Sequence, residues 1–201
     1  MTKKEKLLNI VFGLNLVYLG FSGLFYNYLG IETPIVRWFV TLLNVSVGLL
    51  IVFRSPVLSK PQFKSVLISL PSVICGGLLF KLSKSLDSWH FFVEILFIIG
   101  GLIALVSFLY LGKSFSIFPG RREIKSNGFY KLIRHPSYLG EFIMILACLI
   151  SSESIYSLFV FLLFIPSIIY RIKEEEKVLL IDTSYILYTK NVKWRLIPFV
   201  W

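Results

Sequence analysis

Six apolar stretches, at about 7–30, 35–53, 64–82, 90–112, 136–152 and 154–170, occupy most of this chain of 201 residues. Each is long enough, or nearly so, to cross a hydrocarbon core as a helix, for which about 20 residues suffice. Inside a bilayer the backbone has no water to bond, so spanning segments of this kind satisfy their own amides as helices. Hydrophobic residues make up 56% of the chain and charged residues only 16%, outside the range of soluble domains. The chain therefore reads as one all-α integral membrane domain with about six transmembrane helices. Met1 to Lys6 has the charge of a signal-peptide n-region, but the apolar run from Leu7 to Ile31 is too long for an h-region and reads as a retained first span.

Orientation follows from the basic residues, since Lys and Arg stay on the cytoplasmic side. With the N-terminus inside, the inside set holds 18 of the 21 basic residues, and only Arg37, Lys81 and Lys84 fall outside. Both termini and both polar clusters are then expected on the cytoplasmic face. The net charge of +10 is accounted for as a topology signal and an attraction to the bilayer's anionic headgroups. No nucleic-acid partner is implied. The last two apolar segments are separated by Ser151 to Ser154 and are expected to form a tight hairpin, bringing the start of the fifth close to the end of the sixth. Cys75 and Cys148 lie inside apolar segments as small hydrophobes. Two cysteines and two histidines far apart give no metal-ligand spacing, so no metal is expected.

Residues 113–135 form the longest inside connection, and its end is dense in chemistry. Asn127-Gly128 marks a turn in which glycine supplies positive φ. Pro136 suits the first turn of the fifth helix, where its missing N–H is harmless. The free N–H groups of that helix start, with Arg134 and His135 beside them, would hold an anionic group. The same residue types also suit plain anchoring, with Lys131 and Arg134 on lipid phosphate, His135 as a cap, and Tyr130 and Tyr138 in an interfacial aromatic belt. A second cluster, Arg171 to Glu176, follows the sixth segment. Arg171 and Glu175 are four apart and face the same way on a helix, within reach across one turn. Lys173 and Glu174 read as solvated helix residues, and Glu141 as a carboxylate just inside the fifth span.

The pattern Gly-x-Tyr-x-x-x-Arg-His-Pro-x-Tyr-x-Gly over Gly128 to Gly140, preceded by Arg122-Glu123-Ile124-Lys125, resembles the signature of the isoprenylcysteine carboxyl methyltransferase family. Arg171 with Glu175-Glu176, then Leu179, Tyr185 and Tyr188, and the closing Arg195-Leu196-Ile197-Pro198 are similar to that family's C-terminal block. The resemblance covers roughly 113–198. It implies a membrane-embedded methyltransferase that binds S-adenosylmethionine without a Rossmann fold and leaves S-adenosylhomocysteine. Residues 1–112 would then be transmembrane helices one to four, and 113–201 the catalytic portion, made of loop, helical hairpin and an amphipathic C-terminal helix. Carried over by position, the cofactor contacts are Arg122, Glu123, Ile124, Lys125, Tyr130, His135, Pro136, Ser137, Tyr138 and Glu175. Arg171 and Glu175 would be catalytic, with Arg171 facing the methyl acceptor. One departure stands out: Ile181-Asp182 replaces the family's Phe-Gly, which puts the end of the C-terminal helix in question.

The acceptor implied is a lipophilic molecule or lipidated group met in the bilayer, and a guanidinium beside the site favours a carboxylate. A related phospholipid methyltransferase family shares much of the signature, so an amine acceptor with Glu175 or Glu141 as base is the rival chemistry. A carrier or scaffold is a further rival, but the paired broken helices and midplane charges of transporters are missing from the sequence.

Overall fold

The computed structural model describes residues 3–25, 35–55, 63–84, 86–115 and 124–201. Among them the order is α1 (Lys3–Phe25), α2 (Ile35–Val52), α3 (Phe63–Leu82), α4 (Phe91–Leu111), α5 (Pro136–Ser151), α6 (Ile155–Leu179) and α7 (Thr183–Asn191), with no strand. Each apolar segment forms a helix. Four stretches, Glu5–Leu24, Ile35–Val52, Phe91–Ser114 and Ile155–Leu179, are long and apolar enough to cross a membrane, whereas Leu67–Leu82 and Pro136–Ser151 are shorter. The chain is thus an all-helical, multi-pass membrane protein. Residues 26–30 of the first apolar stretch, and Lys60 and Arg121 of the basic loops, lie outside the described residues. Large side chains on the outer faces, among them Phe12, Tyr18, Phe91, Phe92, Phe159 and Leu163, are exposed, as expected where lipid is the solvent.

The helices pack in pairs: α1 on α2, α4 on α5, and α3 on α6, with α2 also touching α4. The sequence-predicted tight hairpin of α5 and α6 is looser than its short turn implies, because each helix packs mainly on another partner. Glycine explains half of this. A Cβ on Gly140 would collide with the Gly100 carbonyl oxygen and the backbone nitrogen of Ala104, so α5 sits backbone to backbone on α4. The other half is the seam of α3 and α6, where Leu79 and Cys75 meet Phe164, Ile168 and Ile172 in the central core. The turn itself docks on the end of α3. Ser152 Oγ donates to the Leu82 carbonyl at 2.8 Å, and Lys84 pairs with Glu153 at 2.6 Å.

α6 runs well beyond the apolar segment and carries Arg171 to Glu176 as its last turns. It stops at Leu179, and Asp182 opens α7: its carboxylate accepts from the Ser184 backbone N–H at 2.9 Å and from the Ser184 hydroxyl at 2.6 Å. The Ile181-Asp182 departure is therefore a helix start, with Asp182 as N-cap.

Candidate active site

The loop reaches α5 through a turn at Gly128, whose φ is +59°. A side chain there would run into the ring of Tyr110, so glycine is needed both for its backbone angle and for the close approach to the end of α4. The following 3-10 turn, Gly128–Lys131, buries Tyr130. Pro136 takes the first position of α5 as predicted, and His135 is the N-cap residue by position but makes no capping bond. Its ring turns instead toward α6, with Nε2 3.4 Å from Glu176 Oε1, and stacks on Tyr138 at 5.5 Å between ring centroids.

Successive residues on a helix project about 100° apart, so Glu175 and Glu176 face different neighbours. Glu175 faces α5: Tyr138 Oη donates to its Oε2 at 2.6 Å. The same tyrosine ring lies beneath the guanidinium of Arg171, 4.8 Å from Cζ. Arg171 Nη1 is 3.5 Å from Glu141 Oε2 and donates to Ser72 Oγ at 3.1 Å. The direct Arg171–Glu175 contact across one turn that the spacing predicts is thus replaced by a link through Tyr138. Glu141, read from sequence as a carboxylate near the interface, is tied to Arg171. One guanidinium thus stands between two acids, Glu141 within ion-pair range and Glu175 one tyrosine away.

Glu176 faces the loop and tail. It accepts from Arg134 Nη1 and Arg195 Nε, both at 2.7 Å, and Tyr185 Oη lies 3.4 Å away. Backbone bonds reinforce the clamp, the N–H groups of Arg134 and His135 donating to the carbonyls of Trp194 and Arg195 at 2.9 Å. The tail closes on itself through Arg195 and Leu196, which both donate to the Trp201 carbonyl. Loop, α6, α7 and tail therefore converge on one carboxylate that is only 3% exposed.

Arg122 and Glu123 lie outside the described residues. Ile124 packs against the Tyr185, Tyr188 and Val192 cluster, and Lys125 is half-buried nearby in sequence. The Tyr130 phenol lies beside Ser137, and the Tyr130 carbonyl accepts from Tyr188 Oη at 2.7 Å. Tyr130, His135, Pro136, Ser137, Tyr138, Arg171 and Glu175 thus gather where α5 begins and α6 ends. Burial pushes the phenols of Tyr130, Tyr185 and Tyr188 well above their ordinary value, with nearby carboxylates adding to the rise. All three are neutral donors at pH 7. Two residues differ from the sequence reading. Glu174, expected to be solvated, is 8% exposed and pairs with Lys177 at 3.0 Å. Glu176, which the sequence offers only as the second acid of the Glu175-Glu176 pair, is the carboxylate that Arg134 and Arg195 meet. Ser72 carried no signal at all.

No curated protein and no solved structure matches the chain. Residues 92–181, from the second residue of α4 to the turn after α6, match the model of the isoprenylcysteine carboxyl methyltransferase (ICMT) family, so the stretch that holds the loop, α5 and the α6 clusters is similar to that methyltransferase family.

Proposed function

We propose that the protein is an S-adenosylmethionine-dependent carboxyl methyltransferase whose acceptor is a lipophilic acid, such as an S-prenylated cysteine, and whose site faces the cytoplasm. The observation that carries this reading is the Glu175–Tyr138–Arg171 link, which sets an acid and a guanidinium side by side within the stretch that matches the family. Arg122, Glu123, Ile124, Lys125, Tyr130, His135, Pro136, Ser137, Tyr138 and Glu175 would hold S-adenosylmethionine, which when bound would supply an electrophilic methyl group. The Glu175 carboxyl group, held by Tyr138, would face the positively charged sulfonium. Neutral, buried Tyr130 contributes a phenol without adding charge.

Arg171 receives the acceptor. A guanidinium presents parallel donors that match both oxygens of a carboxylate, which would orient the nucleophile for the near-attack approach of about 3–3.5 Å that methyl transfer needs. A carboxylate with a pKa of about 4 is already ionised at pH 7, so no side chain has to remove a proton. Tyr138 is packed into the buried core, and that apolar surrounding would limit the water that reaches the reacting atoms. The lipid part of the acceptor stays in the bilayer, alongside the exposed apolar faces of the helices.

The test uses purified protein in detergent with methyl-labelled S-adenosylmethionine, offered either an S-prenylated cysteine or phosphatidylethanolamine. Methyl esters release methanol in base, and N-methyl groups do not. Base-labile label on the acid and none on the lipid amine is the expected result. Base-stable label on the amine would assign the protein to the phospholipid chemistry, and no cofactor binding would refute both.

A further inference from the structure

Arg171 is gripped from outside the stretch that matches the family. Ser72, on α3 and fully buried, accepts from Arg171 Nη1 at 3.1 Å across ninety-nine residues of sequence. Its own proton is committed elsewhere: Ser72 Oγ donates to the Ser69 carbonyl at 3.0 Å. The hydroxyl is therefore oriented with its lone pairs toward the guanidinium, as an acceptor. Glu141 Oε2 approaches the same nitrogen at 3.5 Å, and the ring of Tyr138 covers one face of the guanidinium. Contacts from α3 and α5 thus converge on one nitrogen and one face of an arginine that α6 carries.

We propose that Ser72 is a positioning residue that sets the plane of the Arg171 guanidinium before the acceptor carboxylate arrives. This rests on the reading that Arg171 receives that carboxylate. An arginine side chain ordered in advance loses less freedom when it binds, and a bidentate fork tolerates little rotation, so the benefit belongs to acceptor binding. α3, which carries no family motif, then has a defined part in the site.

Three variants and two readouts test the proposal. Ser72→Ala removes the acceptor atom and is expected to raise the acceptor's KM about tenfold, the scale of one hydrogen bond to a charged group, while kcat and S-adenosylmethionine affinity stay within about twofold. Ser72→Thr keeps the oriented hydroxyl and is expected to restore KM to within about threefold of the parent. Ser72→Cys keeps the volume with a poor acceptor and replaces the alanine variant if that fails to fold. The second readout needs no turnover: in ¹⁵N-arginine-labelled protein, slow rotation of the Arg171 guanidinium in the parent should become fast in Ser72→Ala and not in Ser72→Thr. A parent that methylates no carboxylate acceptor would sink the functional reading, while the rotation measurement still decides whether Ser72 holds Arg171. Unchanged KM and unchanged rotation in Ser72→Ala, or equal losses of cofactor and acceptor affinity, overturn the proposal.

Discussion

Two adjacent glutamates on α6 have separable roles, and substitution should pull them apart. Glu176 is buried between Arg134 and Arg195, and Glu176→Gln leaves both guanidinium groups facing a neutral amide. The expected loss is about 3 kcal/mol, the low end of the cost of breaking a buried pair, because the Arg195 side chain is 35% exposed and partly screened. Thermal melts in detergent should show this before any activity is measured. Glu175→Gln should melt close to the parent but bind S-adenosylmethionine at least about tenfold more weakly, since the proposed sulfonium partner has lost its charge. A reversed pattern, with Glu175→Gln unstable and Glu176→Gln merely inactive, would exchange the two assignments. Arg171→Lys keeps the charge and loses the fork, so acceptor turnover should fall by about a hundredfold while cofactor affinity holds. The sequence made both acids visible but not their division of labour. Which of two neighbouring glutamates faces α5 depends on how α6 is rotated against α3, and that is set by Phe164, Ile168 and Ile172 in the core.

At the scale of elements, all six apolar segments were legible as helices because length and hydropathy alone dictate them. Pro136 and Gly128 marked the helix start and the turn for local reasons that need no tertiary context. The pairing of helices was not legible. A four-residue connection argues for α5 against α6, yet Gly100 and Gly140 draw α5 onto α4, and a glycine-to-glycine contact between segments leaves no pattern in either segment alone. Gly140→Ala should therefore force α4 and α5 apart and cost about 1–3 kcal/mol, the usual penalty of overpacking, seen as a lower melting temperature with α1 and α2 undisturbed. α7 offers a second test, through alkali. The Tyr185 and Tyr188 phenols are raised above the ordinary value of 10.0 first of all by burial, so the unfolded chain ionises before the folded one. Their contribution is fully present below about pH 10 and is lost as pH climbs from there toward the folded values. Stability should accordingly hold through neutral pH and decline above about 10, less steeply in the Tyr185→Phe, Tyr188→Phe double variant. An equally steep decline in that variant would place the alkaline weakness elsewhere.

On the scale of the whole molecule, the bundle has a site end and a turn end, and the two should face opposite sides of the membrane. The turn end carries Ser152 docked on Leu82 and Glu153 paired with Lys84, and the site end carries the loop, the end of α6 and the tail. With 18 of 21 basic residues on alternate loops, the site end is expected to be cytoplasmic. This arrangement matters for the chemistry. A water-soluble cofactor would reach the site from the cytoplasm, whereas Ser72 lies midway along α3, so on the proposed reading Arg171 would meet its acceptor at a depth where lipid chains are present. Accessibility labelling in a background lacking Cys75 and Cys148 tests the orientation. Glu153, with a side chain 79% exposed, and Ser126, exposed on the loop, offer one position at each end. In intact cells a membrane-impermeant thiol reagent should modify Glu153→Cys and spare Ser126→Cys until the membrane is opened. Labelling of Ser126→Cys in intact cells with Glu153→Cys protected would invert the molecule. Labelling of both from the same side would mean that α5 and α6 enter and leave the bilayer without crossing it together.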